Sequence, residues 1–553
     1  MSSFDAFSTL TLADAKALLQ GSDALLALAL ERARSLTDGG KRIDDHQVTT
    51  ERVAYAATEG RAARELVALA ERIAGEGRSD RRFELSAVAG TADLVANVRR
   101  RVAEAMDELG LDERDLDAAF PAELRARLRA ASSEALLRAI GKDQIARRGR
   151  NDVPLDETLE QIRESVREFG EQEVAPRAEH IHRTDDLVPE SFIAKMAELG
   201  YFGLSVPEAY GGHEMGNLSM ILTTEELSRC SLAAAGSLIT RPEILTKALL
   251  QGGTDAQKKE WLPKIAAGEI MVGISVTEPD IGSDVAGVKC RAERATVGGR
   301  DGFVINGPKA WCTFAGRANV LAVLLRTNPD PASGGKGLSL FIVPKEPFPG
   351  HAFECVQPEG GKLSGKADAT PGYRGMHSFT LNFERYFVPI ENLVGGEAGL
   401  GKGFYLQMGG FAAGRLQTAG RATGLSQAAL EKTCEYVADR NQFGHPIADF
   451  QLTQFVIGRM GVRLPGARAI AYAAAAAFDV DERTASPLAA QAKLLACDIA
   501  VSLTQDGQVL HGGWGYAEEY PISRYVVDAQ VLPIFEGVRP ILELRVVGKA
   551  LLG

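Results

Sequence analysis

Little in this chain points to secretion, membranes or nucleic acid. Its six cysteines (Cys230, Cys290, Cys312, Cys355, Cys434, Cys497) are widely spaced and form no CxxC pair. They predict reduced, mostly buried thiols of a cytoplasmic protein, with neither a disulfide framework nor a zinc site. Basic residues are not in excess: 62 Lys and Arg against 73 Asp and Glu give a formal net charge of −11. That argues against nucleic acid as a main partner, because phosphate binding draws on clustered cations. No run of about 18 apolar residues occurs, so no membrane span is expected. The opening MSSFDAFSTL lacks the basic and apolar regions of a signal peptide. No GxGxxG follows a strand near the start, which excludes a Rossmann-type dinucleotide site.

What remains is a soluble globular composition, 45% hydrophobic and 24% charged over 553 residues, with room for roughly three or four domains. The first 150 residues read as helix after helix with almost no strand signal. Thr11 and Asp14 offer a capping box, and Leu18, Leu19, Leu25, Leu26, Leu28 and Leu30 supply apolar faces. Gly21 and Ser22 are expected to break that stretch into two helices. Further helical patterns cover 51–74, 84–109 and 121–146. The clusters Arg99-Arg100-Arg101 and Arg147-Arg148-Gly149-Arg150 read as a solvated helix face and a linker. The stretch running to Pro154 reads as a boundary. Nothing before it carries recognisable chemistry.

Residues 155–180 predict an amphipathic helix ending near Pro176, followed by one that stops at Gly200, with more helices through 218–267. Between 271 and 395 the pattern changes to short runs such as GFVINGPKAW, VLAVLLR and LSLFIVP, set between Gly, Pro, Asn and Asp. This predicts an antiparallel β domain. From Phe404 onward Ala-rich helical patterns return, as in a helix bundle. The expected class is α+β, with domains at 1–150, 155–270, 271–395 and 396–553.

The stretch with the clearest chemistry is 531–545, VLPIFEGVRPILELR. Its lone carboxylate, Glu536, stands between an apolar run and Gly537. Desolvation raises a carboxylate's pKa, which suits a general base for a weakly acidic proton. Gly537 leaves the backbone open to a ligand. A surface Glu at a helix start fits the same residues, and the stretch alone leaves both readings open.

Ordered motifs over about 155–553 resemble the acyl-CoA dehydrogenase flavoproteins. ISVTEPDIGSD (274–284) is similar to the family's first flavin loop and INGPKAWCTFAG (305–316) to its second. DRNQFGHPIADFQ (439–451) is similar to the segment that reaches the FAD of a neighbouring subunit. QVLHGGWGYAEEYPISR (508–524) is similar to the adenine-end loop, and FEG (535–537) to the catalytic Glu-Gly. The resemblance implies an N-terminal α domain, a β-barrel-like middle domain and a C-terminal four-helix bundle, here preceded by a helical extension. It implies FAD as cofactor, contacted by Ile274, Val276, Thr277, Gly282, Ser283, Trp311, Thr313, Arg440, Gln442, Phe443, Gln451, Gln508 and Gly512. Trp311 would supply an aromatic wall, Thr313 a hydroxyl for flavin N5, and Arg440 a fork for the pyrophosphate.

The resemblance also implies α,β-dehydrogenation of an acyl-CoA, with Glu536 taking the α proton and Ser283, Arg415 and Gly537 near the substrate. The family's alternative base position, just before Arg415, is Gly414 here, which cannot take a proton. Electrons would pass to an electron-transferring flavoprotein, and the Arg440 segment implies a homodimer or homotetramer. Arg229 falls where the glutaryl-CoA branch carries its carboxylate-binding Arg. Arg241 is a second candidate, and a surface or interface role fits both equally.

A helical extension ahead of a complete dehydrogenase body resembles the methylsuccinyl-CoA dehydrogenases of the ethylmalonyl-CoA pathway, which form mesaconyl-CoA. The other readings are a dehydrogenase or oxidase for a short or branched neutral chain, and a DNA-associated alkylation-response flavoprotein. The segment 354–376 reads as a long loop capping a site or an interface. Two positions depart from the pattern: Val538 replaces the usual Thr after Glu-Gly, and Val527 replaces the Arg of Arg-Asp-Ala.

Overall fold

The computed structural model describes residues 4–78 and 80–553. By internal contacts the chain divides into two compact units, Met1–Ser165 with Thr418–Gly553, and Val166–Gln417. Among the described residues no helix is long and apolar enough to cross a membrane. All six cysteines are free thiols, five of them buried.

The first unit is helical. The Leu12–Leu36 helix opens where the Thr11 N–H donates to Asp14 Oδ2 at 2.9 Å. It runs unbroken through Gly21 and Ser22, against expectation. A Cβ at Gly21 would overlap Leu124 and stand 2.8 Å from Ala119 O. The glycine admits a neighbouring segment, and that packing outweighs its helix penalty of about 1 kcal/mol. The Gln47–Gly75 and Arg81–Glu104 helices complete this layer.

The extension is built into the same unit as the C-terminal helices Gln451–Val480 and Glu482–His511. Its Glu134–Ala146 helix meets Gln451–Val480 at Gly141 and Gly458, where a Cβ on either would strike the other helix's backbone. The stretch after Arg148 is packed too: Asn151 Nδ2 donates to Gly461 O at 2.8 Å.

Arg101 does not share the solvated face read for its cluster. Its Nε lies 2.8 Å from the buried Glu59 carboxylate and its guanidinium 4.0 Å over the Tyr55 ring. Arg100 stays outside, paired with Glu104.

The Glu157–Phe169 helix does not end near Pro176. It passes through a π-turn at Gly170–Val174 into Ala175–Thr184, with Pro176 in that segment's first turn. The π-turn just before Pro176 shifts the ladder where the proline ring and missing N–H would otherwise interrupt it.

The second unit sets the helices Gly216–Cys230, Thr240–Gly252 and Asp255–Ala266 with an eight-stranded sheet. The strands are β1 (Val272–Ser275), β2 (Arg291–Val297), β3 (Arg300–Thr313), β4 (Val320–Arg326), β5 (Leu338–Pro344), β6 (Ala352–Val356), β7 (Lys362–Ala367) and β8 (Ser378–Pro389). Their order is β1-β4-β2-β3-β8-β7-β6, with β5 on β4.

The pairing is not antiparallel throughout, because β1 and β4 run parallel in register Val272↔Val320 to Ser275↔Val323. The β2–β3 hairpin intervenes, so the chain re-enters beside β1 from the same end. β4 is buried on both faces, which is why VLAVLLR shows no alternation, whereas β8 alternates along its outer half. The segment expected as a loop at 354–376 is mostly the β6–β7 hairpin.

Candidate active site

The first candidate loop leaves β1 at Ser275. Two interactions fix its path. Val276 O accepts from Lys309 Nζ at 2.9 Å, and Thr277 O from the Ala310 N–H at 2.9 Å. Lys309 also lies 3.0 Å from Glu278 Oε1, and their side chains are 0% and 6% exposed. The Glu278 carboxylate accepts the Lys289 and Cys290 N–H groups at 2.9 and 2.7 Å as well. Sequence reasoning missed this buried pair, although a charged residue at an inward position of β3 signals a partner. Ile274 is half-buried, while Gly282 and Ser283 stand exposed at the far end of the loop.

Trp311 falls in the register shift between Lys309 and Cys312, with φ +56° and 59% of its surface exposed. The bulge turns the indole out of the sheet. Thr313, two residues on, is buried with its hydroxyl 3.0 Å from Ser378 Oγ. Between them Cys312 is buried against Ser275 Oγ, and burial pushes its thiol up to about 12, so it is inert.

In the other unit, Arg440, Gln442 and Gly512 line one cavity of about 620 Å³, although they lie some seventy residues apart in sequence. Among the described residues the Arg440 guanidinium makes no hydrogen bond or ion pair. Gly512 holds φ +61°, and a Cβ on it or on Gly513 would meet nothing within 4 Å. Tyr436 and His511 also line this cavity, their rings stacked at 4.2 Å. Burial holds the His511 imidazole below its ordinary value. Neither was singled out from sequence, though His511 sits inside the HGG run. Phe443 and Gln451 stand outside the cavity wall. Phe443 tips the small hairpin β9 (Asn441–Gln442) and β10 (His445–Pro446), at φ +55° and 90% exposed. Gln508 Nε2 donates to Gly515 O at 3.1 Å and holds the glycine turn.

Glu536 is half-buried in an irregular segment, at φ +53°. The next helix, Arg539–Ile541, begins beyond it, so Glu536 is not a helix-start residue. Gly537, at φ +102°, completes the turn. Trp311, Phe443 and Glu536 all hold left-handed backbone, which is uncommon for side-chain-bearing residues. Near the departures from the family pattern, Arg524 Nη1 lies 3.8 Å from Asp528 Oδ2 in a buried pair, so Asp528 has a cation without the missing Arg at 527.

The two candidate arginines differ. Arg229 is committed to carboxylates, at 3.1 Å from Glu226 and 2.7 Å from Glu171. Arg241 is 5% exposed on the Thr240–Gly252 helix. Arg415 is half-buried on the Gly403–Asp439 helix, next to the buried Gly414. A separate group, Asp185, His351 and His377, brings three potential metal ligands within 4.8 Å. Arg374 Nε already lies 3.4 Å from Asp185 Oδ1, so a cation is in place and the group reads as an ion-paired clasp on the loop before β8.

Comparison with known proteins identifies the family. Residues 156–269, 273–386 and 401–552 match the N-terminal, middle and C-terminal domains of acyl-CoA dehydrogenase. The chain belongs to the acyl-CoA dehydrogenase family. A (2S)-methylsuccinyl-CoA dehydrogenase of Cereibacter sphaeroides is 35% identical over 529 residues, 94% of each chain. A mitochondrial 2-methylacyl-CoA dehydrogenase of Solanum tuberosum is 38% identical over 401 residues, 72% of this chain and 91% of its own. The solved structure of butyryl-CoA dehydrogenase from Megasphaera elsdenii superposes with TM-score 0.65 at 30% identity, covering 73% of this chain and all of that one.

As an acyl-CoA dehydrogenase, the protein is an FAD-dependent oxidoreductase acting on a CH–CH bond of an acyl-CoA. Its own residues fit the cofactor. Arg440, whose guanidinium has no ion pair among the described residues, and the open glycine pair Gly512-Gly513 face one cavity, and a cation beside accessible main chain suits an anionic pyrophosphate. Trp311 presents an exposed aromatic face of the kind a flavin ring stacks on.

Proposed function

We propose that this acyl-CoA dehydrogenase oxidises a short branched dicarboxylyl-CoA, (2S)-methylsuccinyl-CoA to mesaconyl-CoA, with Glu536 as the base. The observation that carries the substrate reading is coverage. The methylsuccinyl-CoA dehydrogenase aligns along 94% of both chains, extension included, whereas the 2-methylacyl-CoA relative aligns over 72% of this one. Bound FAD supplies the acceptor for the β hydrogen, which leaves as hydride.

The rest is the work of side chains. Glu536 removes the α proton, and its main-chain N–H donates to the thioester oxygen as enolate charge develops. Ser283 contacts the CoA arm. Trp311 and Thr313 orient the flavin, Arg440 and Gln442 reach the pyrophosphate of a neighbouring subunit's FAD, and main chain at Gly512 lies at an adenine end. The exposed Phe443 hairpin fits a segment completed by a second subunit, consistent with a homodimer or larger assembly. Reducing equivalents pass to an electron-transferring flavoprotein.

The substrate's free carboxylate needs a buried cation, since an unpaired buried charge is costly. Arg241, 5% exposed on the Thr240–Gly252 helix, is the candidate.

The test is anaerobic flavin bleaching with methylsuccinyl-, glutaryl-, isobutyryl- and butyryl-CoA. Rapid bleaching by methylsuccinyl-CoA alone is expected, with Glu536→Gln retaining FAD yet failing to bleach. Bleaching by the neutral esters instead overturns the dicarboxylate reading, and full-speed bleaching in Glu536→Gln removes that residue from the reaction.

A further inference from the structure

The Glu536 loop is held by few main-chain bonds of its own, among them Phe535 N–H to Val531 O at 3.1 Å and Arg539 N–H to Pro533 O at 3.0 Å. Residues 530–538 form neither helix nor strand, and Glu536 sits at φ +53°, which a residue with a Cβ keeps only when its surroundings impose it. Those surroundings are specific. Lys493, fully buried on the Glu482–His511 helix, donates from Nζ to Phe535 O at 2.7 Å and to Gly537 O, bracketing Glu536 from both sides. The Arg421 guanidinium lies 4.6 Å over the Phe535 ring.

Arg539 closes the loop at its C-terminal end. It pairs with Asp498 at 2.8 Å and Glu543 at 2.7 Å. It also meets residues of the helical extension. The Tyr55 ring stacks on Arg539 at 4.8 Å while the Tyr55 hydroxyl donates to Asp498, and Glu51 lies 3.8 Å from Arg539. Tyr55 is 2% exposed, and with Ala54 it packs into one apolar cluster with Ala490, Leu494, Leu542 and Val547. The extension therefore supplies both the aromatic face and part of the charge that fix Arg539, three residues beyond Glu536.

We propose that the N-terminal extension is a working part of the active site: Tyr55 and Glu51, through Asp498 and Arg539, act with Lys493 as positioning residues for the Glu536 carboxylate. The inference rests on the reading of Glu536 as the base. Proton transfer requires the carboxylate within hydrogen-bond reach of the α carbon's proton, and a misplacement of about 1 Å lowers the rate about 100-fold. A loop with no regular structure meets that tolerance only if neighbouring elements fix it. Lys493 fixes the two carbonyls around Glu536, and the extension helps fix the Arg539 side chain three residues on.

The experiment is single-turnover anaerobic flavin reduction by full-length, FAD-loaded enzyme over a range of acyl-CoA concentrations. Tyr55→Leu, which removes both ring and hydroxyl, should slow the limiting rate by about 100-fold while the half-saturating concentration moves by less than about twofold. Tyr55→Phe, which keeps the ring, should recover most of that, losing about tenfold or less. Leu136→Ala, in a different buried cluster of the extension, provides a matched loss of thermal stability and should reduce at the wild-type limiting rate.

If Tyr55→Leu does not fold, Arg539→Lys is read the same way, since it keeps the charge and loses the fork and the stacking. A limiting rate in Tyr55→Leu or Arg539→Lys equal to that of Leu136→Ala overturns the inference. Glu536→Gln separates the two levels. Full-speed reduction there removes the base reading, whereas a dead Glu536→Gln beside a normal Arg539→Lys removes only the positioning role.

Discussion

Replacing Lys309 by Met should unlock the first candidate loop, which leaves β1 at Ser275. The Lys309 ammonium has two buried acceptors, Val276 O at 2.9 Å and Glu278 Oε1 at 3.0 Å. Methionine matches the aliphatic stem closely, so little cavity forms and the loss is electrostatic. Breaking a buried pair by removing one partner costs about 3–5 kcal/mol. Glu278 keeps the Lys289 and Cys290 N–H donors, which favours the lower end, while the orphaned Val276 carbonyl adds about 1 kcal/mol. The expected destabilisation is about 4 kcal/mol.

Adding Glu278→Gln should return about 2 kcal/mol, because the amide oxygen still accepts the two N–H groups without a buried charge, and the two sites should be strongly non-additive. Urea unfolding followed by tryptophan fluorescence reads this directly, since Trp311 lies two residues from Lys309 on β3. FAD content measured alongside should fall. A Lys309→Met enzyme within about 1 kcal/mol of wild type and fully flavin-loaded would refute the reasoning.

Two further outcomes follow from buried charge. Burial pushes Glu59 up from 4.5 to about 7 despite its pairing with Arg101. The folded state binds that proton more tightly than the unfolded chain, so the associated stability is complete below pH 4.5 and is lost as pH rises to about 7. The interval corresponds to about 3 kcal/mol. Urea unfolding of wild type and Glu59→Gln at several pH values from 5 to 8 should show wild type losing ground to the variant, and a pH-independent difference would count against it. Arg241→Ala should weaken methylsuccinyl-CoA by about 10–100-fold, the value of a charge-assisted contact, and butyryl-CoA far less. Equal effects in flavin-reduction titrations would remove Arg241 from substrate recognition.

The sequence by itself determined the class and order of elements, because periodicity and punctuation are local. The return from strand to helix near Phe404 and the stop at Gly200 are set by residues next to one another in the chain. The candidate flavin-loop and Glu-Gly motifs were legible through resemblance to the acyl-CoA dehydrogenase family, because each is a short stretch of fixed residue order.

What only the tertiary structure decided depends on residues far apart. Gly21 looked like a helix break because its local propensity is poor, yet the Ala119–Leu124 segment packs against it and the helix continues. Arg101 looked like one of a solvated trio until folding put Glu59 and Tyr55 beneath it. The parallel β1–β4 pair joins strands 45 or more residues apart in sequence, and nothing local in β1 announces it. Lys309 with Glu278 and Lys493 with the Glu536 loop are single cations in apolar runs. The sequence marks each as costly to bury, but the partner that makes burial tolerable comes from elsewhere in the chain. The extension, silent in sequence, acquires chemistry only through its place beside Arg539.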